Sequence, residues 1–426
     1  MEKNNINVGI GFATGRKNFK NVARTYVENW CESGLIDKDN ICLNLFIAYD
    51  LKYKKTKPAD YKNLHERITD MLDCPFFIDD AVMKKEAALL VSTGIISKYE
   101  ADLLFGDGYA KKRNAIMYFA IKNGMDYLLY IDDDEYPMAS IKSSDGLVWK
   151  GQQVLATHLK HIEDADITHG YHCGYISPIP QMQFNSTLRE EDFRLFIETI
   201  SNDIISWDSI KQKMLDGGVT YCDETVVNSV LPLEVPEING AKFISGSNLF
   251  LKLNPSSKLY PFYNPPGARG EDTFLSTCLS DTKVLKVPCY AFHDGFSTYS
   301  HLLCGTLPEK LKPIRAGKTE VDDRFYQACV GWIRYKPLLL YITNPSQYDA
   351  EIERMNANLH QVLPKICRYF NRNDFMGLLG ELNTYSASVS EHYDMFTDTK
   401  RAWEKVVDYL KAVKEVNSID YEKCLI

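Results

Sequence analysis

The sequence predicts an α/β protein in which a largely parallel sheet flanked by helices is followed by an all-helical C-terminal region. Two apolar strand-like runs, residues 7–12 and 41–49, enclose a segment with apolar residues at helical spacing. This is the pattern of a parallel strand–helix–strand unit. A further apolar run, residues 127–131, ends directly in four acidic residues. Beyond residue 305 the apolar residues keep helical spacing, which predicts helices only.

The first strand–helix–strand unit is bounded by polar residues. A turn containing Thr14 and Arg16 follows the first strand. The next apolar residues share one helical face, and Gly34 is a suitable end for that helix. The second strand, residues 41–49, is apolar on both faces and ends at Asp50. A parallel pair of strands is therefore expected here.

Less regular segments separate the remaining elements. Residues 51–105 begin with a lysine-rich stretch that predicts a loop, and residues 140–240 have mixed character. Both segments are interpreted as insertions into the sheet domain. Further helices and strands are expected, in chain order, at residues 113–124, 127–131, 154–162, 243–253, 273–279 and 284–292.

The most informative feature is the acidic segment that follows residues 127–131. A sheet core cannot hold so much uncompensated negative charge, and ligands of open α/β sheets bind at the carboxyl ends of strands. Asp132 and Asp134 are two residues apart, so they would share one face if the strand continued. Such a pair can hold Mg²⁺ or Mn²⁺ and leave positions for phosphate oxygens. The alternative is an acidic turn without a ligand.

Other polar residues fall where chemistry is expected. Arg113 lies at the N-terminal side of a predicted helix, and arginine suits bidentate contact with phosphate. Asp272 follows a Pro- and Gly-containing loop, where a carboxylate can cap the next helix or act as a general base. His293 ends the last predicted strand, and an imidazole beside carboxylates suits Mn²⁺.

Composition limits the class of protein. The chain has 426 residues, 45% hydrophobic and 25% charged, with a formal net charge of -8. This is ordinary for a soluble protein of two or three domains and argues against nonspecific binding to nucleic acid or anionic membrane. Eleven cysteines without a Cys-x-x-Cys pair indicate reduced thiols in a cytosol. No signal peptide or membrane-spanning run is visible, so a cytoplasmic protein is expected.

Two other patterns were weighed against structural explanations. One could ligate zinc and consists of His158, His161, His169, His172 and Cys173. Its members fall on an expected helix and an expected strand, which favours structural roles. The other is a glycine pattern that approximates a dinucleotide fingerprint but misses its spacing by one residue, at Gly9, Gly11 and Gly15. A nicotinamide-dependent oxidoreductase would leave the acidic segment unexplained.

Taken in order, the motifs resemble glycosyltransferases with the GT-A fold, in particular the family 2 type. The likeness covers residues 5–300 and is carried by the ordered set Thr14-Gly15-Arg16, Asp50, Arg113-Asn114, Tyr130-Ile131-Asp132-Asp133-Asp134, Ser245-Gly246-Ser247-Asn248, Gly270-Glu271-Asp272 and His293. The resemblance implies a Rossmann-like, nucleotide-sugar-binding mixed sheet flanked by helices in residues 1–305. Residues 51–105 and 140–240 would be insertions or the acceptor region, and residues 306–426 a helical C-terminal domain.

The resemblance also implies roles for these residues. Asp134 and His293 would hold Mn²⁺ or Mg²⁺, with Asp132 beside them. Asp272 would be the base that deprotonates the acceptor hydroxyl, which implies an inverting displacement. The nucleotide-sugar would be contacted by Thr14, Arg16, Asp50, Arg113, Asn114, Asp132 and Asp133. The acceptor or the donor sugar would face Ser247, Asn248 and Glu271.

The expected function is transfer of a sugar from a nucleotide-diphosphate donor to a hydroxyl of a glycan or lipid-linked acceptor, in surface glycan or polysaccharide synthesis. A haloacid dehalogenase-type phosphatase also has Asp-x-Asp after a buried strand. Its motif requires Thr or Val two residues after the second Asp, where this chain has Tyr136. A noncatalytic carbohydrate-binding protein is the other alternative. The apolar stripes of residues 306–426 are most simply that region's own core; a homo-oligomer or peripheral contact with the inner face of a membrane is also open.

Overall fold

The computed structural model describes residues 5–35, 40–201, 206–254, 256–297 and 307–423. Its strands within these ranges are β1 (Ile6–Thr14), β2 (Ile41–Tyr49), β3 (Cys74–Ile78), β4 (Tyr127–Tyr130), β5 (Glu135–Tyr136), β6 (Met138–Ser143), β7 (Gly146–Gly151), β8 (Ile167–Gly174), β9 (Leu233–Glu234), β10 (Leu249–Lys252) and β11 (Val284–His293). The helices of the sheet region are α1 (Phe19–Glu32), α2 (Ala59–Lys62), α3 (Glu66–Thr69), α4 (Asp80–Ser92), α5 (Lys98–Leu104), α6 (Tyr109–Lys122), α7 (Val154–His161), α8 (Glu190–Ile200), α9 (Trp207–Leu215), α10 (Glu224–Val227) and α11 (Glu271–Ser276). Those of the C-terminal region are α12 (Thr319–Thr343), α13 (Tyr348–Phe370), α14 (Gly377–Ala387) and α15 (Val389–Lys423).

The strands form one large mixed sheet in the order β3-β2-β1-β4-β10-β8-β11-β5, with β9 on β11 and a separate β6–β7 hairpin. The four strands β3, β2, β1 and β4 are parallel. Strand β10 is antiparallel to both of its neighbours, and β8 and β11 are parallel to each other. The expected α/β class is confirmed: a mixed sheet flanked by helices precedes a helical C-terminal region.

The order of the parallel strands places a topological switch point beside β1. The chain goes from β1 outward to β2 and β3, then returns to β4 on the opposite side of β1. Connections leave the carboxyl ends of β1 and β4 in opposite directions, and the crevice between them is where open α/β sheets bind ligands. The acidic segment starts at this edge because it directly follows β4.

Helices cover both faces of the sheet. The apolar face of α1 packs in one buried cluster with Val8, Ile10 and Phe12 of β1, and α6 packs on the other face. A Cβ atom at Gly11 would lie 2.7 Å from Cγ2 of Ile116 in α6. Gly11 therefore lies inside strand β1, where the absence of a side chain lets α6 pack closely against the sheet. It is not part of a phosphate-binding turn.

The C-terminal helices share their cores with the preceding chain. Helices α12, α13 and α14 pack against apolar residues of α8 and α9. Trp403 and Val406 of α15 join the buried cluster beneath α6. The expected domain boundary at residue 305 lies outside the described residues, so that division stays a prediction. Among the helices of the described ranges, none is long and apolar enough to cross a bilayer.

Two segments differ from the sequence expectation. Residues 51–105, expected to be irregular, supply the edge strand β3, whose Pro75 suits an edge position. The strand expected over residues 243–253, with a kink at residues 245–248, is present only after that kink, as β10; Asn248 takes a left-handed conformation with φ 49° just before it. The preceding polar residues are thereby turned away from the sheet and toward the acidic segment.

Candidate active site

The acidic segment is buried at the carboxyl edge of the sheet. Asp133, Asp134 and Glu135 are 8%, 8% and 3% exposed. Buried carboxylates need compensating cations and hydrogen bonds. The chain itself supplies them through two arginines and two histidines, namely Arg16, Arg113, His172 and His293.

Arg16 and Thr14, from the end of β1, bind the acidic segment directly. The Thr14 hydroxyl donates to Asp133 Oδ2 at 2.5 Å, and Arg16 Nη1 donates to Asp133 Oδ1 at 3.0 Å and to Asp134 Oδ2 at 2.5 Å. Burial raises the pKa of Asp133 to about 7, against the lowering effect of Arg16. Burial opposes the charge of Arg16, but Asp134 and Asp133 raise its pKa. The two residues expected to contact a nucleoside thus lie against the acids.

Asp134 and His293 meet from different elements. Asp134 Oδ1 lies 3.4 Å from His293 Nε2, and the other ring nitrogen, Nδ1, lies 2.8 Å from the Tyr175 carbonyl oxygen. Burial opposes protonation of His293, but Asp134 raises its pKa to about 9. Burial also opposes ionisation of Asp134, but His293 and Arg16 hold its pKa well below the usual range. The pair is an imidazolium–carboxylate ion pair at neutral pH.

This pair fits a divalent cation. Two ligands at about 2.2 Å from one ion and at a right angle are separated by about 3 Å, close to the observed 3.4 Å. The hydrogen bond at Nδ1 leaves Nε2 of a neutral ring free to ligate, as in many metal sites. In the described part of the chain no three His, Cys, Asp or Glu side chains form a metal-holding group. The protein would therefore supply two ligands, and phosphate oxygens and water the others.

Asp132 points to different partners from Asp134. Its Oδ1 accepts from Arg113 Nη2 at 3.0 Å and from the Tyr109 hydroxyl. Arg113 is only 2% exposed, and its Nε lies 3.7 Å from Glu271 Oε1. Three aromatic rings surround its guanidinium, with centroids 4.7–5.3 Å away: Tyr109, Tyr130 and Phe262. Arg113 therefore joins the acidic segment to the start of α11, which carries Glu271.

Asp272 and Arg113 both lie beside Gly246. A Cβ atom at Gly246 would lie 3.2 Å from Asp272 Cβ and 3.3 Å from Arg113 Nη2, so a side chain there would require one of these neighbours to shift. Asp272 Oδ2 accepts from the Gly246 amide at 3.2 Å, and Oδ1 from the Thr273 amide at 2.9 Å. Burial, together with the charge of Asp272, raises the pKa of neighbouring Glu271 to about 7. Two adjacent acids thus lie at the start of α11, and the pKa of one of them, Glu271, is raised.

Ser247 and Asn248 point in different directions. The Ser247 hydroxyl donates to Glu135 Oε2 at 2.6 Å and accepts from the Asp132 amide at 2.8 Å. Asn248 Oδ1 lies 2.8 Å from His158 Nε2, and its Nδ2 donates to the Tyr171 carbonyl at 3.2 Å. Ser247 thus supports the acidic segment, whereas Asn248 ties β10 to α7 and β8.

Two histidines of the possible zinc group contact other side chains. His158 is fully buried, its Nδ1 lies 2.7 Å from Thr168 Oγ1, and burial lowers its pKa to about 4. A neutral imidazole bonded on both sides by side chains has no free nitrogen for a metal. His172 has a different position, because its Nε2 lies 3.2 Å from Glu135 Oε1.

Two residues expected to bind the nucleotide make other contacts. Asn114 is fully buried; its Nδ2 donates to the Leu104 and Phe262 carbonyls and its Oδ1 accepts from the Phe262 amide. Both N–H donors are used, so the side chain joins the end of α5 and the loop at Phe262 to α6. Asp50 Oδ1 accepts from the Lys52 amide at 2.7 Å and closes the turn after β2.

Three residues at the site were given no role from the sequence, and a fourth, His172, was considered only as a zinc ligand; the three are Tyr109, Glu135 and Arg324. Tyr109 lies one helical turn before Arg113, a spacing that brings side chains together, and Glu135 ends the acidic segment itself. These two had a local signal. His172 and Arg324 reach the site only through tertiary packing, which no local pattern reports.

Comparison with known proteins gives little further information. No protein-family model and no curated protein matches this chain. Among solved structures, the crystal structure of mouse xyloside xylosyltransferase 1 in its apo form is similar over 46% of this chain and 58% of that chain, with 13% sequence identity and a TM-score of 0.19. The match thus spans little more than half of that protein. At this TM-score the likeness carries no functional argument, so function is argued from the site.

Proposed function

We propose that this protein is a metal-dependent glycosyltransferase that moves a sugar from a nucleoside-diphosphate donor to an acceptor hydroxyl with inversion. One observation carries the proposal: Asp134 and His293 lie 3.4 Å apart at the carboxyl edge of the sheet. A carboxylate and an imidazole with this spacing suit Mn²⁺ or Mg²⁺. The location beside a topological switch point suits a nucleotide.

The charges around this pair suit a diphosphate. A bound divalent ion would stabilise the negative charge that develops on the departing nucleoside diphosphate. Arg16 lies beside both Asp133 and Asp134, and a guanidinium at this position can bind phosphate oxygens. Arg113 is already enclosed by aromatic rings and acids, so its role is to hold Asp132 and Glu271 in place.

In this proposal, Asp272 has the role of the base. The acceptor proton passes to its carboxylate, the acceptor oxygen bonds to the anomeric carbon, and the bond from that carbon to the phosphate oxygen breaks. The Gly246 and Thr273 amides fix both carboxylate oxygens, which restricts the direction of approach of an acceptor. Glu271 holds its proton more tightly than usual because of burial and the charge of Asp272.

A dehalogenase-type phosphatase fits the geometry less well. That chemistry needs the two aspartates of Asp-x-Asp to face one phosphoryl group, one as nucleophile and the other as acid or base. Here Asp132 faces Arg113 and Tyr109, whereas Asp134 faces Arg16 and His293. The acceptor class, a glycan or lipid-linked sugar, is part of the proposal. The cytoplasmic location, peripheral membrane contact and a homo-oligomer remain predictions from the sequence.

A donor-hydrolysis screen tests the proposal. Purified protein is incubated with UDP-, GDP-, dTDP- and CDP-sugars, with Mn²⁺ or with a chelator. We expect one donor class to be hydrolysed slowly, only with metal, and not by the Asp134→Ala variant. Asp145→Asn changes an exposed turn residue and should retain activity. No hydrolysis of any donor, together with no thermal stabilisation by any donor plus Mn²⁺, contradicts the proposal and favours a noncatalytic protein.

A further inference from the structure

A third arginine reaches the site from the helical C-terminal region. Arg324 lies in the second turn of α12. A Cβ atom built on Gly295 would lie 2.2 Å from Arg324 Nη2 and 2.8 Å from His293 Cε1. Because both atoms surround one point, the guanidinium is a close neighbour of the His293 ring. Gly295 leaves the space that this approach requires.

The guanidinium of Arg324 is held by a ring and has no acid partner in the described residues. It lies 4.4 Å from the ring centroid of Phe296, a cation–π distance. The neighbouring acids on α12 are engaged elsewhere: Asp322 accepts from the Gly317 amide and Asp323 pairs with Arg372. Arg16 and Arg113, by contrast, each contact two carboxylates.

The electrostatic surroundings agree with this difference. Burial lowers the pKa of Arg324, although the charge of Asp134 acts in the opposite direction. Arg16 and Arg269 are close enough to oppose its charge as well. A partly buried cation with cationic neighbours is costly unless an anion binds beside it. Among the described residues, no carboxylate offsets this cost by direct contact with the Arg324 guanidinium.

We infer that Arg324 binds the diphosphate of the donor, and this inference rests on the proposed function. Guanidinium forks form paired, charge-assisted hydrogen bonds with phosphate oxygens. A diphosphate held near Asp134 and His293 would lie beside this guanidinium, which would offset part of the negative charge of the diphosphate. The C-terminal helices therefore complete the donor site, and they are more than a packing support for the sheet.

Binding measurements with nucleoside diphosphates test this role. The full-length protein is titrated calorimetrically, in Mg²⁺, with UDP, GDP, CDP and dTDP, and then with the nucleoside of the diphosphate that binds. We expect Arg324→Gln to bind that diphosphate about 10- to 100-fold more weakly, the range for a lost charged hydrogen-bonding group. Affinity for the nucleoside should not change. Arg368→Gln, an exposed arginine on α13, is the matched control and should bind as the wild type does.

A second variant distinguishes a lost phosphate contact from a folding defect. Arg324→Lys keeps the charge and loses the fork, so it should retain part of the diphosphate affinity while its melting temperature stays that of the wild type. Equal diphosphate affinity in wild type, Arg324→Gln and Arg324→Lys would overturn the inference and leave the proposed function intact. Failure of the wild type to bind any nucleoside diphosphate would overturn both. A loss that is the same for nucleoside and diphosphate would assign Arg324 a structural role and also overturn the inference.

Discussion

Asp134 Oδ1 lies 3.4 Å from His293 Nε2, and Asp134 Oδ2 lies 2.5 Å from Arg16 Nη1. One carboxylate thus has two cationic partners from the ends of two different strands. An incoming metal would replace the proton of His293 and compete with Arg16 for Asp134. The ion pairs explain how the buried acids are stable without a metal and which contacts must change when one binds.

Competition between Arg16 and a metal gives the first prediction. Arg16→Gln should lower the free energy of unfolding by about 1–3 kcal/mol. This is less than the loss expected for a fully buried ion pair, because Arg16 is partly exposed to solvent. It should also bind Mn²⁺ more tightly than the wild type, since one oxygen of Asp134 is released. Chemical denaturation and Mn²⁺ titration followed by electron paramagnetic resonance measure the two effects. Arg67→Gln, which breaks a pair with Glu28 away from the site, should leave Mn²⁺ affinity unchanged. Weaker Mn²⁺ binding by Arg16→Gln would contradict the competition.

The role of Asp272 gives the second prediction. Asp272→Asn is nearly the same size, but its carbonyl oxygen can accept from only one of the Gly246 and Thr273 amides, because its amide nitrogen replaces the other acceptor. Asp272 is assigned to the acceptor and not to the donor, so donor affinity should stay within about twofold of the wild type, below 0.5 kcal/mol. Transfer to an acceptor should fall by about 10² to 10⁴, the usual contribution of a positioned base. Single-turnover transfer and donor titration separate the two quantities. Normal transfer by Asp272→Asn rules out its role as the base.

The pKa of Glu271 gives a prediction about pH and stability. Burial and Asp272 raise this pKa from 4.5 to about 7 in the folded protein. The folded state therefore binds the proton more tightly than the unfolded state, and stability falls as pH rises from about 4.5 to about 7. Glu271→Gln should be more stable than the wild type above pH 7, by on the order of 3 kcal/mol, and similar to it near pH 4.5. Urea denaturation at several pH values measures the difference. Glu309→Gln changes an exposed residue and is the control; its free energy of unfolding should depend on pH as that of the wild type does. If the stability of Glu271→Gln also followed the wild-type pH dependence, the raised pKa of Glu271 would be contradicted.

Asn114 provides a test of a structural role. Asn114→Ala would leave the Leu104 carbonyl and the Phe262 amide and carbonyl without their partner inside the protein. Its free energy of unfolding should fall by about 2–4 kcal/mol, whereas nucleotide affinity measured at low temperature on folded protein should be retained. The exposed Asn228→Ala serves as control and should change stability little. A stable Asn114→Ala variant that has lost nucleotide binding would instead support the nucleotide contact expected from the sequence.

Much of the fold was predictable because its signals are local. The period-2 and period-3.6 patterns predicted β2 at its observed bounds and β1 and α6 to within a few residues. The acidic segment could be located at the sheet edge because a buried strand precedes it without a spacer. The short strand β3 was not predicted from the sequence, because it contains Pro75 and is only partly buried, both of which weaken the strand pattern.

The arrangement of the site was less predictable because it depends on long-range packing. The sequence could propose that Asp134 and His293 meet, since both follow strands. It could not predict that Asp132 turns toward Arg113, because that direction depends on the ring of Tyr109 and on Gly246. Nor could it place Arg324, which reaches the site only because α12 packs beside the end of β11 and Gly295 leaves room.

The most direct test of the central claim is a crystal structure of the protein with Mn²⁺ and a nucleoside diphosphate, with data collected at the manganese absorption edge. We expect one anomalous peak at about 2.2 Å from both a carboxylate oxygen of Asp134 and Nε2 of His293, in contact with a phosphate oxygen. Arg16 would then have moved away from Asp134. A manganese ion bound elsewhere, or an unchanged Asp134–Arg16 contact with nucleotide present and no metal between Asp134 and His293, would contradict the account.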